Sequence, residues 1–497
     1  MICSYLTMSN SWKKSDLQDL PGNPLFRGDE RLSPYSGDVA LTAQPDAVIR
    51  SRDPQDLSEA LAYCHAHRIP VTFSGGRSGI TGAAATSEGV LIATELRDKV
   101  LDIRKDKNGH SQAIIEPGAR LGDLKGIVKE HGYFYPPDPT SYQEACLGGT
   151  VATNATGEDS LRYGPTRKYI RSIKVIKADG SRLELTRPLD DRPPETKGTA
   201  GYTRREPLID LMIGSEGTLA YFEEITVDLL PEPGEHWAAI GFFPSLVSAI
   251  QFVQSSLESN TLSPRALEFM DQSSLEILKS DPEVPAIPSG AQFGIYWKQE
   301  YESETKKNKN IEAWMTLLNS ALKDTEAKDL SEQIWVAQSE TEQLRFRHWR
   351  HLIPSAINER VSAFQSQGGG KTASDWWVPL KWIGAALEKA WQESKEANLE
   401  TITFGHLGNG HPHINYIAKD KEEVSRAKEL IRRQCARAVA WGGGVAGEHG
   451  IGKIYRDLLS LQHPSAVIEA MKKLKKEWDP HWILGRETLF QSPDSGS

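Results

Sequence analysis

Ser74-Gly75-Gly76-Arg77-Ser78-Gly79-Ile80-Thr81-Gly82 is the stretch whose reading decides the fold of this chain. It follows Val71-Thr72-Phe73, a short apolar and β-branched run that reads as a strand. Four glycines in nine residues let the backbone take φ > 0 and approach another group closely. Successive N–H groups in such a loop form an anion-binding nest, and a diphosphate is its natural guest. No G-x-G-x-x-G can be drawn through these glycines, so the segment is not a Rossmann fingerprint. Taken alone it is equally well a structural turn.

Working outward, Asp53-Pro54 is an N-cap and first-turn pair leading into Leu57, Leu61 and Cys64 at helical spacing, with Pro70 ending the element. Strands are expected at Val90–Thr94 and Ala113–Glu116, and a helix at Leu121–His131 stopped by Gly132. Asp179-Gly180 between Ile173–Ala178 and Arg182–Thr186 is a hairpin signal. Residues 1–37, rich in Ser, Pro and Gly, are expected to drape over a surface. Pro231-Glu232-Pro233-Gly234 reads as a linker. Beyond it, strands at Trp237–Phe243 and Ala291–Trp297 and helices at Ser245–Glu258, Ile311–Leu322 and Gln338–Val361 suggest an α+β domain. The lysine run around 306–309 reads as a solvated loop.

Two further glycine signatures accompany the first. One runs from Pro136-Pro137-Asp138-Pro139-Thr140-Ser141 through Gly148-Gly149-Thr150-Val151-Ala152-Thr153-Asn154-Ala155 to Arg162-Tyr163-Gly164; the other is Gly214-Ser215-Glu216-Gly217-Thr218-Leu219. In this order and spacing the three segments resemble the FAD-binding domain of the vanillyl-alcohol-oxidase, or PCMH-type, flavoproteins. The resemblance runs from about residue 38 to 234. It implies a two-subdomain FAD-binding domain over 38–234, preceded by an extension (1–37). An α+β substrate or cap domain (235–420) and a C-terminal helical segment (421–497) would follow. It also implies FAD held largely by backbone amides. Ser74, Gly75, Gly76, Arg77, Ser78 and Gly79 would wrap the pyrophosphate. Pro137, Gly148, Gly149, Thr153 and Ser160 would line the flavin and ribityl regions, with Gly217 and Thr218 near the adenine. Arg77 stands where such proteins usually carry Gly. The glycine-rich loop offers no His or Cys for a covalent tether, so the FAD is expected to be non-covalent.

Near the C-terminus, Gly405-His406-Leu407-Gly408-Asn409-Gly410-His411-Pro412-His413 contains Asn409-Gly410, a strong two-residue hairpin turn. With that turn His406 would face His413, Cβ atoms roughly 5 Å apart on one face, close enough to share a divalent cation. His411 lies on the same face and competes for the role, and Pro412 leaves the register provisional. Gly447-Glu448-His449-Gly450 lies downstream, a glycine-flanked acid and imidazole. Both segments resemble the C-terminal domain of FAD-linked D-lactate, glycolate and D-2-hydroxyglutarate dehydrogenases, which carry GHxGDGNxH and a later EHG. The resemblance implies His406, His413 and Glu448 as ligands of a divalent metal, zinc foremost, and His449 as general base. Asn409 replaces the usual Asp, and His411-Pro412 the usual Asn-Leu. Arg347, Arg350 and Lys371 correspond loosely to cations that bind substrate carboxylate there; a solvated basic helix face is the alternative. Gly368-Gly369-Gly370-Lys371-Thr372 imitates a P-loop end, but Gln365 occupies the upstream glycine position.

Composition bounds these readings. A chain of 497 residues favours at least two domains. A net charge of −9 argues against nucleic acid as a partner, while allowing a local basic pocket for an anion. Four scattered cysteines without a CxxC argue against an iron–sulfur cluster or zinc ribbon and fit a reducing, cytoplasmic setting, with Cys64 and Cys146 as packing residues. No signal peptide and no apolar run of about 18 residues is seen. Peripheral membrane contact and homodimerisation stay open. The expected activity is oxidation of a small 2-hydroxy acid to its 2-keto acid, with electrons leaving to an external quinone, electron-transfer protein or oxygen. Rival readings are a same-fold oxidase of phenolic alcohols or ether-lipid precursors without metal, a metallohydrolase, and a non-catalytic subunit.

Overall fold

The computed structural model describes residues 12–493 except 192, 194–196, 204–205, 324, 326–329 and 338. Cys3, the start of the N-terminal extension and the expected helix start at Gln338 lie outside the described residues.

Ala47–Arg50 and Val71–Ser74 both pair parallel with Val90–Ala93. The helix Pro54–His67 makes the crossover: Asp53 caps it by accepting the Gln55 N–H, and Leu57, Leu61 and Cys64 turn inward. The fourth strand, Leu25–Phe26, is antiparallel to Ala47–Val48. Residues 12–37 are therefore built into this subdomain rather than draped over it. Leu17, Leu20, Leu32 and Tyr35 are buried, an apolar content that the abundance of Ser, Pro and Gly concealed. An antiparallel five-stranded sheet follows in the order Val100–Lys105, Ser111–Ile115, Ala220–Asp228, Ile170–Lys177, Arg182–Thr186. The hairpin around Asp179-Gly180 forms as expected, with Gly180 at φ 81°.

Among the described residues seven antiparallel strands make the largest sheet: Ile334–Val336, His236–Phe243, Phe293–Glu300, Pro264–Met270, Thr401–His406, His411–Asp420 and Gly368–Ala373. Trp237, Ala239 and Phe243 pack with Phe252, Trp297 and Trp314, whereas Ala238, Ile240 and Phe242 pack with Phe346, Trp349 and Ile353. Both faces are covered, which is why this strand reads as a continuous apolar run. Helix Glu304–Leu322 contains the lysine run, correcting the expected loop. Ser303 caps it, and Trp314 and Leu318 bury the opposite face, so the lysines are its first turns in solvent. The triple-glycine string is also a strand, paired with residues 415–420.

The chain end returns to the first subdomain. Val71 N–H donates to Ile483 O (2.7 Å) and Gly485 N–H to Val71 O (2.8 Å). The buried Lys475 ammonium holds Thr218 O (2.6 Å) and Leu484 O (2.8 Å). This closure threads residues 448–453 between the glycine-rich segments of the N-terminal half. Ile451 and Gly452 donate to Glu216, and Lys453 N–H donates to Thr81 O at 2.9 Å. Among the described residues no helix is long and apolar enough to cross a membrane.

Candidate active site

The candidate site has two walls, the first of them the glycine loop. A Cβ at Gly75 would overlap Cys146 Sγ, and one at Gly76 would overlap the Glu144 carbonyl oxygen. Glycine is thus what lets this loop lie against residues 141–146, where Ser141 Oγ donates to Ser78 Oγ (3.3 Å). Arg77 adopts φ 57°, the left-handed conformation a glycine would take at no cost, and its guanidinium sits over the Tyr35 ring at 5.0 Å. Open space lies beside Gly79, and among the described residues the buried Ser74 hydroxyl has no hydrogen-bond partner. Exposed Gly149 faces the same region, and the Thr153 hydroxyl donates back to its carbonyl (3.1 Å). Side-chain-free backbone at these glycines, together with an orphaned hydroxyl, fits a dinucleotide. Other expected contacts are interior: Pro137 and Gly148 are buried, Ser160 Oγ accepts the Gly157 N–H (2.7 Å), and Thr218, fully enclosed, bonds Ser215 O and Tyr202. Gly217 takes φ 71° against the Phe73 ring. Ser160 and Thr218 therefore support their turns.

The second wall is the histidine hairpin, whose register differs from expectation. His406 pairs with His411 and Phe404 with His413, so residues 407–410 form a four-residue connection instead of a two-residue Asn-Gly turn. The connection is packed inward: Leu407 is buried, Gly408 lies against Leu161 and Leu267, and Gly410, at φ 65°, sits where a Cβ would overlap the Val378 carbonyl. All three histidines still share one buried face, with ring centroids 5.8 Å apart for 406–411, 5.5 Å for 406–413 and 4.6 Å for 411–413.

Glu448 joins them. Its Oε2 is 3.3 Å from His406 Nε2 and its Oε1 is 3.1 Å from His413 Nε2. The Thr156 hydroxyl, from the N-terminal half, donates to Oε2 at 2.6 Å. Burial opposes its charge, but His406 and Lys197 outweigh burial and hold the carboxyl well below its usual range. Ligand atoms of Asp375, His413, Glu448 and His449 lie within 4.8 Å of one another. His406 stands outside that group of four, although its Nε2 points at the same carboxylate. The better cation donors are His406, His413 and Glu448, because Asp375 is already saturated. Its Oδ2 accepts the N–H groups of Gly447 (3.0 Å), Glu448 (3.2 Å) and His449 (3.0 Å), and its Oδ1 faces His411 Nε2 (3.0 Å) and His449 Nδ1 (2.7 Å).

Asp375 accepts a hydrogen bond from His449 Nδ1–H, which leaves His449 Nε2 with its lone pair, 3.5 Å from Glu448 Oε1. Burial opposes a charge on this imidazole, yet Asp375 raises its basicity. The cations fare differently from expectation. Arg350 is buried and gives Nε (3.1 Å) and a terminal nitrogen (2.9 Å) to Glu268, whose other oxygen is 2.6 Å from His406 Nδ1. It stands behind the histidines, where it neutralises the carboxylate that orients His406. Arg347 is held by Asp138 at 2.9 Å and lies over Tyr142. Lys371, exposed on its glycine strand, is close enough to His449 for its charge to oppose protonation there. Surrounding protein lowers its ammonium pKa. Sequence reading missed Asp375, Lys197, Glu268 and Glu216. Glu216 lies inside the third glycine signature without a role of its own being legible there, and the other three are lone residues, each brought in from a separate element.

A model of an FAD binding domain matches residues 45–186, and a model of the C-terminal domain of FAD linked oxidases matches residues 233–488. The glycolate oxidase subunit GlcD of Bacillus subtilis is 27% identical over 459 residues, covering 92% of this chain and 91% of that protein. The D-lactate dehydrogenase of Anaerostipes hadrus is 28% identical, covering 92% of each chain. The D-2-hydroxyglutarate dehydrogenase of Stutzerimonas stutzeri is 27% identical, covering 95% and 96%. Among solved structures, 4-ethylphenol oxidase from Gulosibacter chungangensis shares the fold with a TM-score of 0.68 at 15% identity, covering 94% of both chains.

Proposed function

This chain belongs to the FAD-linked oxidases, and on that premise we propose that it oxidises a small 2-hydroxy acid to the 2-keto acid with the aid of a divalent cation. The observation that carries the reading is the convergence of His406 Nε2 and His413 Nε2 on the two oxygens of Glu448, with His449 Nε2 beside them. Two neutral imidazoles and a carboxylate form a donor set suited to zinc or a similar ion. Such a cation, when bound, supplies Lewis acidity at the hydroxyl and carboxylate oxygens of the acid. FAD would be held by the loop at 74–79 and the facing segment at 141–149, and when bound it supplies the two-electron sink for the C2 hydrogen.

The remaining work falls to side chains. Lys371 is the cation of the three for which no ion pair is seen among the described residues, so it is the one suited to a substrate carboxylate. His449 Nε2 accepts the hydroxyl proton while Asp375 holds the proton on Nδ1. Glu268 orients His406, with Arg350 behind it, and Ser374 O lies 3.4 Å from His413 Nδ1. Turnover then needs an external acceptor, a quinone, an electron-transfer protein or oxygen. Anaerobic mixing of the purified flavoprotein with D- and L-2-hydroxy acids tests the reading. Bleaching of the flavin by at least one acid, lost on chelation, is expected. A metal-loaded protein that no 2-hydroxy acid bleaches would refute it.

A further inference from the structure

Three histidines share one face of the hairpin, yet Glu448 meets the Nε2 of only two within 3.3 Å. What distinguishes the third is a residue from the other half of the chain. Lys197 Nζ lies 2.9 Å from His411 Nδ1 and 3.6 Å from Glu448 Oε2. An ammonium has only protons to offer, so His411 Nδ1 must be the acceptor. The His411 proton then resides on Nε2, where Asp375 Oδ1 accepts it at 3.0 Å. Both ring nitrogens are thereby engaged. His406 and His413 are arranged the other way round. Their Nδ1 atoms face the Glu268 carboxylate (2.6 Å) and the Ser374 carbonyl (3.4 Å), acceptors that fix a proton on Nδ1 and leave the Nε2 lone pair free.

We propose that Lys197 is a positioning residue that selects the ligand pair, holding His411 in the Nε2–H tautomer so that only His406 and His413 can offer nitrogen to a cation. The assignment rests on the metal reading above and adds to it a residue that never touches the ion. His411 is bound in turn to the work of Asp375, steadying the carboxylate that positions His449.

The test uses the full-length flavoprotein loaded with Co2+ and reads its visible d–d absorption and its Co2+ affinity, neither of which requires turnover. Parent protein should give one spectrum, and Lys197→Met should shift it as His411 becomes available, with affinity changed by about tenfold or more. Adding His411→Asn to Lys197→Met should restore the parental spectrum. An unchanged spectrum in Lys197→Met, or a double variant that stays shifted, would overturn the role of Lys197. Should Lys197→Met fail to fold, His411→Asn alone decides: the parental spectrum is expected, and a shifted one shows that His411 is a ligand. A parent protein that binds no Co2+ at all instead removes the metal reading, and the selection with it.

Discussion

Replacing Asp375 by Asn changes one atom and should silence His449 without disturbing the fold. In the parent, Oδ2 receives three backbone N–H groups and Oδ1 receives His411 Nε2–H and His449 Nδ1–H. An amide NH2 cannot sit against three N–H donors, so the Asn oxygen takes the backbone side and its NH2 turns to the two rings. His449 can pair with that NH2 only by moving its proton to Nε2, which removes the lone pair from the atom meant to take the substrate proton. The two charge-assisted bonds lost are worth about 1.5–3 kcal/mol each. If they are felt in the transition state, the barrier rises by about 3–6 kcal/mol, a rate loss of roughly 10²–10⁴-fold. Rapid mixing under anaerobic conditions measures this as the rate of flavin reduction at saturating acid. Flavin content and substrate affinity should stay near those of the parent because the loop at 447–449 keeps its three bonds. A variant reducing its flavin within about tenfold of the parent rate would show that Asp375 does not hold the base.

Three further outcomes are expected. Gly76→Ala forces the loop away from the Glu144 carbonyl and should weaken FAD binding by at least about tenfold, whereas Gly126→Ala, with open space at its Cβ, should leave flavin content intact; equal flavin-to-protein absorbance ratios in both variants would contradict the cradle. Burial raises the Glu216 carboxyl from 4.5 to about 7, so the folded chain keeps a proton that the unfolded chain releases. That stabilisation, up to about 3 kcal/mol, is complete below about pH 4.5 and is lost as pH rises through about 7. Amide exchange at Ile451 and Gly452, corrected for its intrinsic pH dependence, should accelerate over that range and should not do so in Glu216→Gln. Dialysis against a strong chelator should abolish acid-driven bleaching while leaving the flavin bound, with activity restored by zinc; bleaching at the original rate after chelation would remove the cation from the reaction.

The sequence by itself determined what depends on neighbours in the chain. The glycine loop after Val71–Phe73, the cap at Asp53, the hairpin at Asp179-Gly180 and the pairing of a Gly-His segment with a later Glu-His are local patterns, and backbone geometry ties each to a local conformation. From them came the FAD-binding fold and the convergence of His406, His413 and Glu448. What only the tertiary structure decided depends on residues far apart. Hairpin register is one case: the Asn409-Gly410 signal favours a two-residue turn, but the connection, packed inward against Leu161, Leu267 and Val378, spans four residues and sets His411 opposite His406. Arg350 is another, because a helix periodicity cannot reveal that Glu268, from a different strand, lies within 2.9 Å of it. Lys197 and Asp375 carry no signature of their own. They gain their chemistry because a buried donor or acceptor must be matched by whatever group the fold sets against it, and that partner is chosen in space, not along the chain.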